Sequence, residues 1–300
     1  MQKRKIITLV LAIITTTAMA QKTIPLYSKV PNLKASCDKK ESIPVAGEVA
    51  DVIEPTLTVF LPEKTNPAKT AILILPGGGY THLAMEKEGF DVARKFNELG
   101  VAAFVLKYRM PLVSCFDNSA FVPLQDAQQA LLMIRQQAGS FGIDPDNLGV
   151  IGFSAGGHLA STLLTHADTS LVDNKQVSLS PSWGVLGYPV IDMGLPQTHK
   201  GSRENLIGPN PSQQQIDYFS SQKRVTASTP PCFLFHAQDD RAVNVINSIQ
   251  YFDAMTRNNV KGELHIFQNG GHGFGLNNKK SKEDWFQMVA DWLRYNNWIR

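Results

Sequence analysis

Cysteine is scarce in this chain, and charge is nearly as sparse. Cys37, Cys115 and Cys232 are the only cysteines in 300 residues, too few for a disulfide framework and without CxxC metal spacing. An odd number leaves at least one thiol unpaired. Cys232 lies in an apolar run and reads as a small buried hydrophobe, whereas a Cys37–Cys115 bridge is left open because the sequence carries no geometry for it. Charged residues make up 18% of the chain, with 29 Lys and Arg against 26 Asp and Glu. The whole excess of three sits in Lys3, Arg4 and Lys5, so residues 21–300 balance at 26 against 26. Such a chain has no global field to draw in a phosphate backbone or an anionic bilayer, which disfavours charge-driven binding of nucleic acid. Long apolar runs are missing as well: Ile6 to Ile14 is too short to cross a bilayer as a permanent helix. A hydrophobic content of 43% excludes a disordered chain.

What is present begins with an export signal. A basic start, the apolar run and the small residues Ala18-Met19-Ala20 follow the order a signal peptidase needs, so residues 1–20 are expected to be removed. Lys34-Ala35-Ser36-Cys37 lacks the small apolar run of a lipoprotein signal, and the expectation is a soluble protein, periplasmic or extracellular, with no membrane attachment after cleavage. Residues 21–55 form a polar, Pro-dotted lead-in. From Thr56 onwards short apolar runs alternate with helical patterns: strands are expected at 56–61, 70–75, 101–106, 148–153, 184–191, 232–236 and 263–267, with helices between them and a last one around Trp285, Val289 and Trp292. This rhythm predicts an α/β fold with a mostly parallel central sheet and helices on both faces. Residues 56–300 then form one domain, and the irregular stretch 192–226, too long for an ordinary loop, is expected to be a lid.

The chemistry is carried by four segments. The strand 148–153 runs into Gly152-Phe153-Ser154-Ala155-Gly156, and a helix pattern comes next. In a G-x-S-x-G turn between strand and helix the serine sits on a strained bend with its hydroxyl pushed outwards, which makes Ser154 the candidate nucleophile. A serine hydroxyl needs a base. His272, in the glycine-rich Gly270-Gly271-His272-Gly273 after the last strand, suits that role, whereas His236 and His265 lie inside strands and His158 reads as a packed helix residue. A carboxylate must then orient the imidazole. Asp239 and Asp240 both come just after the strand 232–236; Asp240 is preferred, Asp239 stays open, and the other aspartate should bind backbone in the turn. Finally, Pro76-Gly77-Gly78-Gly79-Tyr80 ends the strand 70–75, and side-chain-free N–H groups there can approach an oxyanion. The oxyanion hole is assigned to Gly78, Gly79 and Ala155, each such donor typically being worth about 10²- to 10³-fold in rate. Tyr80 and Arg203 are the guesses for substrate contacts.

The order Ser154, Asp240, His272 with these surroundings resembles the α/β-hydrolase fold. Gly152 to His158, Gly187-Tyr188-Pro189, Asp239-Asp240, Gly270 to Phe274 and Thr198-His199-Lys200-Gly201-Ser202-Arg203 are similar to an exported carbohydrate esterase family that includes bacterial acetyl xylan esterases. Pro76 departs from the His-Gly-Gly-Gly form of the hormone-sensitive-lipase-like branch, so that branch's substrates are not carried over. The resemblance implies a serine esterase that removes acyl groups, acetyl foremost, from plant polysaccharide such as xylan. It calls for no metal and no organic cofactor, and an acylated carbohydrate is the expected partner. Two other functions compete. A prolyl-oligopeptidase-like serine peptidase shares the sheet and the triad order, and a non-catalytic carbohydrate-binding protein could be built on the same fold. Glycoside hydrolysis needs two facing carboxylates, and Asp239-Asp240 are adjacent. The oligomeric state is not legible.

Overall fold

The computed structural model describes residues 21–174, 177–194 and 196–300; the expected signal peptide lies outside them. Ten strands are found among the described residues: β1 (Lys22–Pro25), β2 (Val49–Ala50), β3 (Thr56–Phe60), β4 (Ala71–Leu75), β5 (His82–Leu83), β6 (Ala102–Lys107), β7 (Leu148–Phe153), β8 (Gly184–Gly187), β9 (Cys232–Ala237) and β10 (Gly262–Phe267). Eight of them form one sheet in the order β1-β3-β6-β4-β7-β8-β9-β10, and β2 pairs with β5 in a small ladder of its own. β1 and β3 join antiparallel, and from β6 to β10 every neighbour is parallel. The chain is an α/β-hydrolase in architecture.

The helices are α1 (Asp91–Glu98), α2 (Val122–Gln136), α3 (Ala138–Phe141), α4 (Ser154–Thr165), α5 (Lys200–Ile207), α6 (Gln213–Phe219), α7 (Ile246–Arg257) and α8 (Trp285–Tyr295). β4, β7 and β9 are buried along their whole length, as strands covered on both faces must be. Their continuous apolar sequences result from that. Because β4, β7, β9 and β10 run parallel, the loops that leave their C-terminal ends emerge along one edge of the sheet. That edge is where the glycine-rich loop, the serine turn, the aspartate pair and the histidine loop meet.

Three elements depart from the sequence reading. The lead-in contributes β1, which pairs with β3 from Lys22 opposite Val59 to Pro25 opposite Thr56. The strand expected over 184–191 stops at Gly187, since Tyr188 takes φ 35° and Pro189 has no N–H for a ladder. The stretch 192–226, expected to be irregular, holds α5, α6 and a 3₁₀ turn at Ser221–Lys223. At the start of α6, Ser212 and Gln215 cap each other's backbone reciprocally, a signature that was present in the sequence.

Cys37 and Cys115 are joined in a disulfide, which fastens the lead-in to the segment before α2. Beside it Arg109 and Asp126 form a fully buried ion pair at 2.6 Å. Arg109 also donates to the Pro31 carbonyl at 2.8 Å, and the Tyr27 hydroxyl donates to Asp126 at 2.9 Å. Burial raises the Asp126 carboxyl, against the pull of Arg109. Cys232 is free and buried in β9.

Candidate active site

Ser154 sits where β7 becomes α4, with φ 52°, a left-handed conformation that a serine adopts only when its surroundings impose it. Closure of the turn demands glycine nearby: a Cβ on Gly156 would stand 2.1 Å from the Leu75 carbonyl oxygen. The bend aims the Ser154 hydroxyl at His272, whose Nε2 lies 2.8 Å away. The other ring nitrogen, Nδ1, donates to Asp240 Oδ2 at 2.6 Å, which fixes Nε2 as the acceptor facing the serine.

Asp240 is held on every side. Its Oδ1 accepts the N–H groups of Ala242 and Val243, both at 2.9 Å. Its Oδ2 also faces His236 Nε2 at 3.2 Å. The same His236 nitrogen meets the Val243 carbonyl at 3.0 Å, and Nδ1 meets the Ser248 hydroxyl at 2.8 Å. His236 therefore carries its proton on Nε2. Burial alone would raise the Asp240 carboxyl, but hydrogen bonds from His236 and His272 and the charge of His272 outweigh it and hold Asp240 well below the usual carboxylate range. Asp239 turns the other way and accepts Gly270 N–H at 2.7 Å and Gly271 N–H at 2.6 Å. One aspartate meets the ring, and its neighbour ties down the loop that carries the ring. The indole of Trp285, stacked on Phe235 with centroids 4.2 Å apart, donates to the Gly275 carbonyl at 2.9 Å and supports the loop from below.

The glycine loop after β4 takes positive φ at three successive residues, Gly78, Gly79 and Tyr80. A Cβ on Gly78 would lie 2.0 Å from the His82 carbonyl oxygen, so no other residue fits there. Gly77 N–H is already engaged by Glu88 Oε2 at 2.8 Å. The N–H groups of Gly78 and Gly79 have no hydrogen-bond partner among the described residues. Glu88, buried in the π-helical turn Met85–Phe90, also accepts the Tyr188 hydroxyl at 2.8 Å, and that hydroxyl in turn accepts Gly275 N–H at 3.0 Å. Glu88 and Tyr188 thus lace the glycine loop to the histidine loop; Tyr188 lies in a segment that carried the family resemblance, without a role read for it, and no motif in the sequence marked Glu88.

Ser154, His272, Gly78 and Gly79 open into a cleft of about 400 Å³ whose walls also include Glu88 and His199. Tyr80 and Arg203 do not line it. Tyr80 is buried beneath the loop, where its hydroxyl meets His158 Nδ1 at 2.7 Å; its left-handed backbone turns the ring inwards. Arg203 is buried on α5. Neither of the two expected substrate contacts therefore stands at the wall of this cleft. His158 is a packed residue, as its place on the helix suggested, and its Nε2 donates to the Phe219 carbonyl at 2.7 Å.

The chain matches the family model BD-FAE over residues 57–255. It belongs to the BD-FAE family. This BD-FAE chain is 35% identical over 243 residues to an acetylxylan esterase of Xylanibacter ruminicola, covering 79% of this chain and 48% of that protein. It is 32% identical over 234 residues to endo-1,4-beta-xylanase B of Butyrivibrio fibrisolvens, covering 77% of this chain and 36% of that one. It thus spans about half or less of the length of these two relatives. Among solved structures, an acetyl ester-xyloside bifunctional hydrolase from Caldicellulosiruptor lactoaceticus superposes with a TM-score of 0.79 at 33% identity, covering 93% of this chain and 97% of that one. A carboxylesterase from Lactobacillus plantarum, at 23% identity and TM-score 0.72 over 94% and 99% of the two chains, shares the fold. Fold and family are those of carboxylic ester hydrolases.

Proposed function

We propose that this BD-FAE protein is an exported serine esterase that removes acetyl groups from xylan, with Ser154 as nucleophile, His272 as base and Asp240 as the carboxylate behind it. The observation that carries the reading is the unbroken line from Ser154 Oγ through His272 to Asp240, at 2.8 and 2.6 Å, beside a loop with two free-facing glycine N–H groups. In this mechanism Ser154 attacks the acyl carbon as its proton passes to His272 Nε2. The oxygen that gains charge is received by the N–H groups of Gly78, Gly79 and Ala155. His272 then gives its proton to the departing sugar oxygen, leaving an acetyl-serine. Water, deprotonated by the same imidazole, attacks the acetyl carbon, and that proton passes back to Ser154 Oγ as acetate leaves. Asp240 keeps the proton of His272 on Nδ1 throughout and stabilises the imidazolium.

The named activities of the Xylanibacter and Caldicellulosiruptor proteins support acetylated xylan as the substrate. Export is supported by the N-terminal signal pattern and by the Cys37–Cys115 disulfide, a cross-link typical of oxidising compartments. Among the described residues no helix is long and apolar enough to cross a membrane.

The test is to incubate the mature protein with acetylated xylan, acetylated pectin, feruloylated oligosaccharide and aryl acetates, and to identify the acid released. Acetate from xylan is expected. Ser154→Ala should fall by at least about 10³-fold with its thermal midpoint unchanged. Retention of activity in that variant, or release of acid only from the other substrates, would reject the reading.

A further inference from the structure

His199 has no part in the proton relay, yet it forms a wall of the same cleft as Ser154 and His272. Its position is set by the helix behind it. As the residue that caps α5, it receives Ser202 N–H at 3.3 Å and the Ser202 hydroxyl at 2.8 Å, both on Nδ1. A neutral imidazole that accepts on Nδ1 must carry its proton on Nε2. Among the described residues Nε2 makes no hydrogen bond, and the ring is only half-buried. Burial holds the His199 imidazole below its ordinary range, and the neighbouring His272 pushes it the same way against the opposite pull of Asp240. The capped ring therefore keeps its single proton facing the cleft.

The helix is itself fixed against the catalytic loop, because Asn205 donates to the Gly79 carbonyl at 2.8 Å. His199, Gly201 and Asn205 thus line the cleft together, with Asn205 tied to the loop assigned to the acyl oxygen. The cap of α5 lies towards His272, the group that must hand a proton to the alcohol half of the ester. A donor on the side of His272 suits oxygens of the alcohol half of the ester.

We propose that His199 Nε2–H donates a hydrogen bond to a hydroxyl or ring oxygen of the sugar that carries the ester, and so selects sugar esters over esters of simple alcohols. This rests on the esterase reading above. His199 is a specificity residue here: it touches the substrate and moves no proton.

Two variants separate this role from helix capping. In His199→Asn the side-chain oxygen can replace Nδ1 as the cap while nothing reaches the position of Nε2. In His199→Gln the amide nitrogen reaches the position of Nε2 while the cap is weakened. Each is assayed with acetylated xylo-oligosaccharide, with acetylated glucose and with 4-nitrophenyl acetate, whose alcohol half offers no hydroxyl acceptor of the sugar kind. For His199→Asn, kcat/KM on the sugar ester should drop about tenfold, mainly through KM, as expected for one lost hydrogen bond. The aryl acetate should be unaffected. His199→Gln should recover most of the sugar activity while melting at a lower temperature. An equal loss on both ester types, or an unchanged sugar ester with His199→Asn, would overturn the inference. If the wild type ignores the xylo-oligosaccharide but deacetylates glucose, the xylan reading falls and the same comparison on glucose decides His199. If it takes only the aryl acetate, both are overturned.

Discussion

Two adjacent aspartates come directly after β9, and the backbone sends them in opposite directions. Asp240 turns back to bind the N–H groups of Ala242 and Val243 and presents Oδ2 to His272, while Asp239 leans out to hold Gly270 and Gly271. The sequence could place a carboxylate at this strand end; the preference for Asp240 depended on Val243 packing downward, and Val243 is indeed fully buried. It could not show that His236 shares the load by facing the same oxygen as His272. The two aspartates should therefore differ in kind when altered. Asp240→Asn, which disturbs the tautomer of His272, is expected to lower kcat on 4-nitrophenyl acetate by about 10³- to 10⁴-fold. Asp239→Asn only loosens the loop and should cost about tenfold. Steady-state rates of the purified variants check the order, and a larger loss at position 239 would reverse the assignment.

At the scale of elements, what could be read depended on whether a segment's sequence reflects its own backbone or its neighbours. β4, β7 and β9 are buried on both faces and read directly as apolar runs; the glycine loop and the serine turn read directly because only glycine tolerates the approach of facing carbonyls. β1 was not legible, since its four residues are mostly exposed and owe their conformation to pairing with β3. α5 and α6 were missed because they are short and polar and are held by contacts from outside, such as Asn205 on Gly79. The lead-in is an element of the same sort, with little apolar pattern of its own. Its attachment comes from β1, from Arg109 reaching Pro31, and from the disulfide, which closes a sequence separation of 78 residues. Replacing Cys37 by Ser should lower the unfolding free energy by about 2–4 kcal/mol. Urea unfolding of oxidised wild type against the variant measures it; an unchanged midpoint would mean that β1 and Arg109 suffice.

Across the whole molecule, one histidine links three parts that are remote in sequence. His158 on α4 receives the Tyr80 hydroxyl from the glycine loop and donates to the carbonyl of Phe219 at the end of α6. Burial pushes its imidazole down from near 6.5 to about 4, with the Phe219 carbonyl pulling the other way. Between those two values the unfolded chain binds a proton that the folded chain refuses. Stability from this group is therefore complete above about pH 6.5 and is lost as the pH falls towards 4, by an amount on the order of 3 kcal/mol. Urea midpoints measured across that range should decline more steeply for the wild type than for His158→Gln, whose amide can still donate to Phe219 without titrating. Parallel curves would assign the acid sensitivity to other groups.

The unpaired thiol of Cys232 lies in β9, between β8 and β10, completely covered, and burial pushes it up to about 12. It can react with a thiol reagent only when the β8–β9–β10 end of the sheet opens. With the other two cysteines oxidised, the rate of its alkylation is therefore a built-in clock for opening at that end of the sheet. That clock should run faster in urea and stay unaffected when a ligand merely rearranges the rim of the cleft.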